Sequence, residues 1–216
     1  MRHCFSTILG VASCAPGLQV TTPEPVAPNE VNGGFIAPGW SRSRSTTSEG
    51  SAPFAARRMK KDAEGALGGV FARLGLGRGV DTGVTFTADG AALDVKVRLA
   101  QRSTGSGAAA IALDPVVESL GMVPATAAAL PVMVGDRWGR FGVVASAGPG
   151  YSRRRDPGDD DTVHDPQGPF LRASLAVRVR LSTHFALQPE YQRRDWLRGG
   201  TYTQGAGVGF VWGALP

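Results

Sequence analysis

Cysteine disappears after position 14. Cys4 and Cys14 are the only two in 216 residues, so no disulfide framework holds the body of the chain together. Long apolar runs are missing too. No stretch after the first residues approaches 18 consecutive uncharged apolar residues, which excludes a transmembrane helix. Histidine is reduced to His3, His164 and His184 and aromatics to 7%, which leaves little imidazole for catalysis. Zinc-finger spacing, an RNP-like aromatic motif, a basic helix and a phosphate-binding glycine motif ahead of a helix are all lacking. The formal net charge of +5 rests mostly on arginines scattered along alternating segments. It is therefore read as something other than a nucleic-acid footprint, and no nucleic-acid partner is expected. What the chain has in quantity is glycine (30) and proline (15), which argues against a helical bundle.

The N-terminus, "MRHCFSTILGVASC", places Arg2 before an apolar run and then small residues before Cys14. This is secretory-signal composition. "VASC" at 11–14 resembles a bacterial lipobox, in which small residues precede a cysteine that is lipidated and becomes the new N-terminus. That resemblance implies a signal peptide over 1–13 and lipidation at Cys14; Ala15 after the cysteine implies sorting to the outer membrane. The next residues, "APGLQVTTPEPVAPNEVNG" at 15–33, are rich in Pro and small or polar types. They read as a flexible tether, so the expected tether covers 14–33 and the folded body 34–216.

The body alternates. In "ALDVKVRL" at 92–99, Leu93, Val95, Val97 and Leu99 are apolar while Asp94, Lys96 and Arg98 are charged. "FLRASLAVRVRL" at 170–181 repeats the pattern over twelve residues, longer than the five or six typical of soluble strands and close to the nine to eleven of a tilted membrane-spanning one. Further strands are predicted over 65–76, 80–87, 107–114, 127–135, 140–151, 184–193 and 201–212, with 34–43 the least regular. That makes about ten strands, eight being the alternative. Tight connections ("GRGV", "RSTGSG", "GDRWGR", "STH") alternate with mostly longer ones at 44–64, 115–126, 152–169 and 195–200; "ADG" breaks the rule. Short turns on one side and long loops on the other is the arrangement of an up-and-down transmembrane barrel.

Over about 65–212 the chain resembles the small bacterial outer-membrane β-barrel proteins. "GRFGVVASAGPGYS", "LSTHFALQPEYQ" and the final "GAGVGFVW" carry the likeness. In such barrels the last strand carries a glycine and spaced aromatics that the barrel-insertion machinery reads; Gly207, Phe210 and Trp212 match. Gly205 stands where a polar residue is usual, and four residues follow Trp212. The resemblance implies an all-β antiparallel barrel in the outer membrane, in contact with its lipid. A monomer is expected.

On this reading the apolar faces meet lipid and the charged faces meet a narrow lumen that side chains largely fill. Alternation places Asp81, Asp94, Lys96, Arg98, Arg172, Arg178, Arg180 and Glu190 on the polar faces. A hairpin through "ADG" is expected to set Asp81 opposite Arg98, and one through "STH" to set Arg178 opposite Gln188 near Glu190. Cross-strand pairs of opposite charge stabilise a sheet modestly, and the expected result is an ion-paired plug rather than an arginine-lined anion path. Two rival functions are weighed. A soluble lipocalin-like lipoprotein binding a small apolar ligand predicts the opposite polarity, charges outward. A barrel enzyme acting on lipid needs Ser, His and an acid in mutual reach; Ser182, His184 and Glu190 are near in sequence but fall at different depths. No catalytic role is therefore assigned. The acidic loop Asp159, Asp160, Asp161 and Asp165 lacks EF-hand spacing and reads as a solvated loop, so neither metal nor cofactor is expected.

Overall fold

The computed structural model describes residues 20–45, 61–87, 90–104, 107–120, 125–154, 168–197 and 202–213. Its strands are β1 Val31–Ser45, β2 Lys61–Gly77, β3 Val80–Thr87, β4 Gly90–Thr104, β5 Gly107–Leu113, β6 Val116–Leu120, β7 Ala125–Ala129, β8 Val132–Trp138, β9 Phe141–Arg154, β10 Gly168–Arg180, β11 Phe185–Trp196 and β12 Tyr202–Gly213. Every pairing is antiparallel, and β12 returns to pair with β1, which closes the sheet into a barrel.

The twelve strands make ten staves. The first residues of β4, 90–94, pair with β6, and 97–104 pair with β5. In the same way β9 pairs with β8 along its first half and with β7 along its last. The breaks fall at Asp114–Pro115 and Leu130–Pro131. Proline has no N–H to give a ladder, so it interrupts one. The backbone around the breaks stays bonded: Val95 N–H donates to the Pro115 carbonyl at 3.1 Å, and Asp114 N–H to that of Pro131 at 3.0 Å. Segment 115–126, expected as a long loop, is thus mostly strand. Pro115 interrupts a stave there without ending it.

Two registers were predicted and they fare differently. Thr87 pairs with Gly90, so the "ADG" turn consumes two residues rather than three, and Asp81 faces Lys96, not Arg98. Between β10 and β11 the ladder runs from Ala176↔Glu190 to Val179↔Leu187. That sets Arg178 beside Gln188 as expected, and the Arg178 Nε donates to Gln188 Oε1 at 2.9 Å.

The barrel is inside-out. Along the stretch first singled out, Leu93, Val95 and Leu99 are 57%, 38% and 60% exposed, whereas Asp94 and Lys96 are 3% and 1% exposed. Other outward apolar residues, among them Val70, Leu76, Val117, Val134, Leu171 and Leu175, form a continuous apolar exterior. Outward aromatics are set into it: Trp138 and Phe141 beside the β8–β9 turn, and Phe35, Trp40, Phe86, Tyr151 and Trp212 along β1, β3, β9 and β12. Outward aromatics of this kind accompany the apolar band of membrane barrels. Among the described residues no helix is long and apolar enough to cross a membrane, and this fold crosses with strands. The structure is an all-β, ten-stave antiparallel barrel of the transmembrane type.

Residues 20–26 lie inside this barrel, 27–30 are exposed at its mouth, and 31–33 already belong to β1. That differs from the free tether expected over 14–33. Val20 packs in a buried cluster with Ile36, Phe71, Ala186 and Val211. Thr21, Thr22 and Glu24 are buried. The segment then turns out through Ala27, whose carbonyl accepts from Glu30 N–H at 3.0 Å, with Asn29 at φ 62°; asparagine tolerates the left-handed region better than most residues. Pro-rich composition reads as a linker because such a segment builds no structure of its own, yet the same lack of internal bonding leaves its backbone groups available to a lumen wall.

Candidate functional site

The lumen contains two ionic layers. The inner one lies at the end where the chain enters β1. Its centre is Arg73 on β2, whose Nη2 donates to Asp81 at 2.6 Å and to Asp94 at 2.5 Å. Lys96 completes it, with its Nζ 3.0 Å from the second Asp81 oxygen. Asp114, at the β5–β6 break, is fully buried in the field of Asp94, Arg73 and Lys96. Alternation explains the convergence: Gly83 separates Arg73 from Asp94 across three neighbouring strands, and a side chain there would collide with both.

The N-terminal segment docks on this layer through its backbone. Lys96 Nζ donates to Thr21 Oγ1 at 3.1 Å, to the Thr22 carbonyl at 2.6 Å and to the Glu24 carbonyl at 3.1 Å. Gln188 Nε2 donates to the Thr21 carbonyl at 3.1 Å, and Asp81 Oδ2 accepts from Val26 N–H at 2.9 Å. The lumen wall thus supplies the partners that buried backbone groups require. Two glycines make room. A Cβ on Gly75 would run into the carbonyls of Val26 and Ala27, and one on Gly209 into the Val20 side chain. Residues 20–26 therefore occupy the lumen as a plug, and 27–30 lead out of it to β1.

The outer layer uses side chains alone. Glu118 on β6 reaches across to Arg172 on β10 and Arg194 on β11, one carboxylate oxygen to each. All three are buried. The Arg194 guanidinium lies 4.6 Å over the Phe170 ring and 5.6 Å from that of Trp196, and Trp196 Nε1 donates to Ser152 Oγ at 3.0 Å. Phe170, Trp196, Ala127 and Ala129 fill the space around them.

Of the residues expected to line the lumen, Asp81, Asp94 and Lys96 join the inner layer and Arg172 the outer. Glu190 is buried on the lumen face and Arg178 beside the plug. Arg180 is only half-buried, at the inner mouth. Arg98 is not in the lumen: it is exposed and donates to Gln101 on its own strand. A shift in the β4–β5 ladder between Arg98 and Ala100 ends the regular alternation there. Arg73, Asp114, Glu118, Arg194 and the plug's Glu24 were missed. Arg73 and Arg194 were legible, because each lies in step with lumen positions; Glu118 was hidden in the segment taken for a loop. On β12, Gly207 faces Glu190 across the ladder. Phe210 stacks on Phe35 at 4.3 Å, and Trp212 lies 6.0 Å from the same ring. The last strand's aromatics thus help to seal the β12–β1 seam.

Ser182, His184 and Glu190 do not meet. His184 and Ser182 lie exposed in the turn, joined by His184 N–H donating to Ser182 Oγ, while Glu190 is buried in the lumen. Among the described residues no group of three or more His, Cys, Asp or Glu is arranged to hold a metal. Cys14 and the acidic loop at 159–165 lie outside the described residues.

Buried charge inside and apolar surface outside define a membrane-spanning β-barrel and are the reverse of a lipocalin, so the soluble reading falls. No protein-family model and no curated protein sequence matches the chain. Similar solved structures include the outer-membrane protease OmpT from Escherichia coli, at 9% identity and a TM-score of 0.43 over 87% of this chain and 98% of that one. The outer-membrane protein OprG from Pseudomonas aeruginosa aligns at 12% identity and a TM-score of 0.40, covering 91% and 100%. Ail, the attachment invasion locus protein of Yersinia pestis, aligns at 11% identity and a TM-score of 0.28, covering 86% and 99%.

Proposed function

We propose that this chain is a bacterial outer-membrane barrel with a structural or interaction role, its lumen closed by its own N-terminal segment and anchored by a lipid on Cys14. The observation that carries this reading is the pair of ionic layers with the plug seated between β2, β4, β11 and β12. Filled in this way by the described residues, the lumen supports a closed barrel rather than an open channel. The secretory composition of 1–13 and the small residues before Cys14 support export and lipidation. Cys14 lies six residues before Val20, a span of at most about 20 Å, so a lipid there would sit close to the mouth through which the plug enters. That mouth is the short-turn end, expected to face the periplasm, with the long connections outside the cell. The outward aromatics of β12 support recognition by the barrel-insertion machinery, and the outward apolar band supports a monomer in contact with lipid.

Fractionation tests it. Cys14→Ser should lose lipid labelling while the protein stays in the outer-membrane fraction through high-salt and alkaline washing, because the barrel itself holds it there. Release of Cys14→Ser into the wash would remove the membrane-spanning part of the reading; unchanged labelling would remove the lipid part alone.

A further inference from the structure

The inner mouth collects arginines. Arg137 from β8, Arg140 from the β8–β9 turn, and Arg178 and Arg180 from β10 line one small recess, open to solvent and with about 20 Å³ of free space, against Thr22, Pro23 and Glu24 of the plug. The acids that face it are Glu24 and Asp136. Asp136 is already engaged, one oxygen accepting from Arg137 N–H at 2.8 Å. Among the described residues, the guanidinium groups of Arg137, Arg140 and Arg178 alone outnumber those two carboxylates, a formal surplus of one positive charge. Glu24 answers it poorly. Its Oε2 is 3.8 Å from Arg137 Nη1, a long ion pair, and its buried Oε1 makes no hydrogen bond among the described residues. A carboxylate enclosed by guanidinium groups normally takes short, paired bonds. Here the plug backbone, held by Lys96 and Gln188, fixes where Glu24 can reach.

We propose that this recess binds a phosphate-class oxyanion, and that the anion competes there with Glu24, so that occupancy loosens the plug. The guanidinium fork suits a tetrahedral oxyanion, which presents several oxygens at once where Glu24 presents two. The open side of the recess leaves the rest of an organic phosphate in solvent, so a phosphate carried on a larger molecule can reach it as well as the inorganic ion. Coupling to the plug has a second path. Arg178 donates to Gln188, and Gln188 donates to the Thr21 carbonyl, so an anion that draws Arg178 outward pulls on the same chain of bonds that seats Thr21. The binding site is independent of the proposed function; the loosening rests on residues 20–26 acting as a plug.

The test uses the full chain in maltoside micelles at fixed ionic strength, titrated with inorganic phosphate against a chloride control. Saturable binding to the unaltered chain is expected. Glu24→Gln removes the competitor and should tighten it at least tenfold. Arg137→Gln with Arg140→Gln should weaken it at least tenfold. A short-chain phosphatidylglycerol, below its micelle concentration, separates the sources: a lipid that displaces inorganic phosphate and binds more tightly names a headgroup, and a lipid that does not names the free ion. Absence of saturable binding in both the unaltered chain and Glu24→Gln overturns the site, as does binding unchanged by the arginine pair. Hydrogen exchange over 20–30 reads the coupling. It should quicken at least fivefold on saturation, and an unchanged rate overturns the competition. Fast exchange there before any phosphate is added would instead fail the plug reading and leave the site standing on its titrations.

Discussion

The two halves of the lumen solve one problem in different ways. Both must fill the interior of a ten-stave barrel without leaving buried polar groups unpaired. The outer half does so with long side chains from opposing walls: Glu118 bridges Arg172 and Arg194, with Phe170 and Trp196 filling in around them. The inner half has glycine at three of the wall positions against the plug, Gly75, Gly135 and Gly209, which leaves room for main chain there. A stretch of main chain fills that room. What decides between the solutions is the size of the inward residues. The consequence is a difference in reversibility: side chains fixed to the wall cannot leave, whereas a segment held at its backbone can.

The largest effect should come from the outer half. Glu118→Gln removes the carboxylate that Arg172 and Arg194 share, and puts a neutral amide between two buried guanidinium groups. Breaking a buried ion pair from one side costs about 3–5 kcal/mol. Urea titration of the barrel in lipid vesicles should show a loss of this size, with hydrogen exchange over 20–30 unchanged until the barrel itself unfolds. A loss below about 1 kcal/mol would mean that the outer layer is hydrated and does not close the lumen.

Lys96→Met probes the inner half and should cost less, about 2–3 kcal/mol, since Asp81 keeps Arg73 while the bonds from a charged donor to the plug are lost. Its signature is different in kind. Exchange over 20–30 should rise well before global unfolding, because Lys96 makes three of the contacts that seat the plug. If Lys96→Met and Glu118→Gln release the plug equally, the two halves are one cooperative unit and the contrast between them fails.

The asymmetry also governs what could be read from sequence. The outer wall was legible because alternation over ten or more residues fixes both the strand and its faces, and all ten staves were anticipated. The lumen placement of Asp94, Lys96, Arg172, Arg178 and Glu190 follows from the same parity. Two things escaped it. Parity says which face a residue occupies but not which residue stands opposite, so a register shift of two residues, which keeps parity, moved Asp81 from Arg98 to Lys96. Proline punctuates sequence more strongly than it punctuates a barrel: Pro115 hid β6 and with it Glu118. The plug was illegible for a further reason. Residues 20–30 have no periodicity, since their bonding partners lie on walls up to 167 residues away, as for Thr21 and Gln188.

Gly75→Val attacks the plug from the wall. A Cβ there would meet the Val26 and Ala27 carbonyls, which are backbone and cannot rotate aside. The strand itself tolerates valine well, so the barrel should lose no more than about 1–2 kcal/mol, a range typical of overpacking. Exchange over 20–30 should rise as in Lys96→Met. A barrel in planar bilayers should then pass brief conductance steps that the unaltered chain lacks. A silent, fully protected Gly75→Val would show that the plug shifts along the wall without leaving it.

The smallest effect belongs to Arg98, and it separates a lumen charge from one that only shares the pattern. Arg98 continues the Asp94–Lys96 alternation by sequence, yet the β3–β4 ladder ends at Val80↔Val97, so Arg98 lies past its last rung, exposed and bonded to Gln101. Exposed partners of this kind contribute little, because water competes for both and salt screens them. Arg98→Gln should therefore change stability by less than about 0.5 kcal/mol and leave exchange over 20–30 untouched. The matched change two residues earlier, Lys96→Gln, keeps a donor but loses the charge opposite Asp81, and should cost more than Arg98→Gln while disturbing the plug. Equal effects at the two positions would mean that Lys96 does not face Asp81 alone, and that the β3–β4 register runs two residues further along β4.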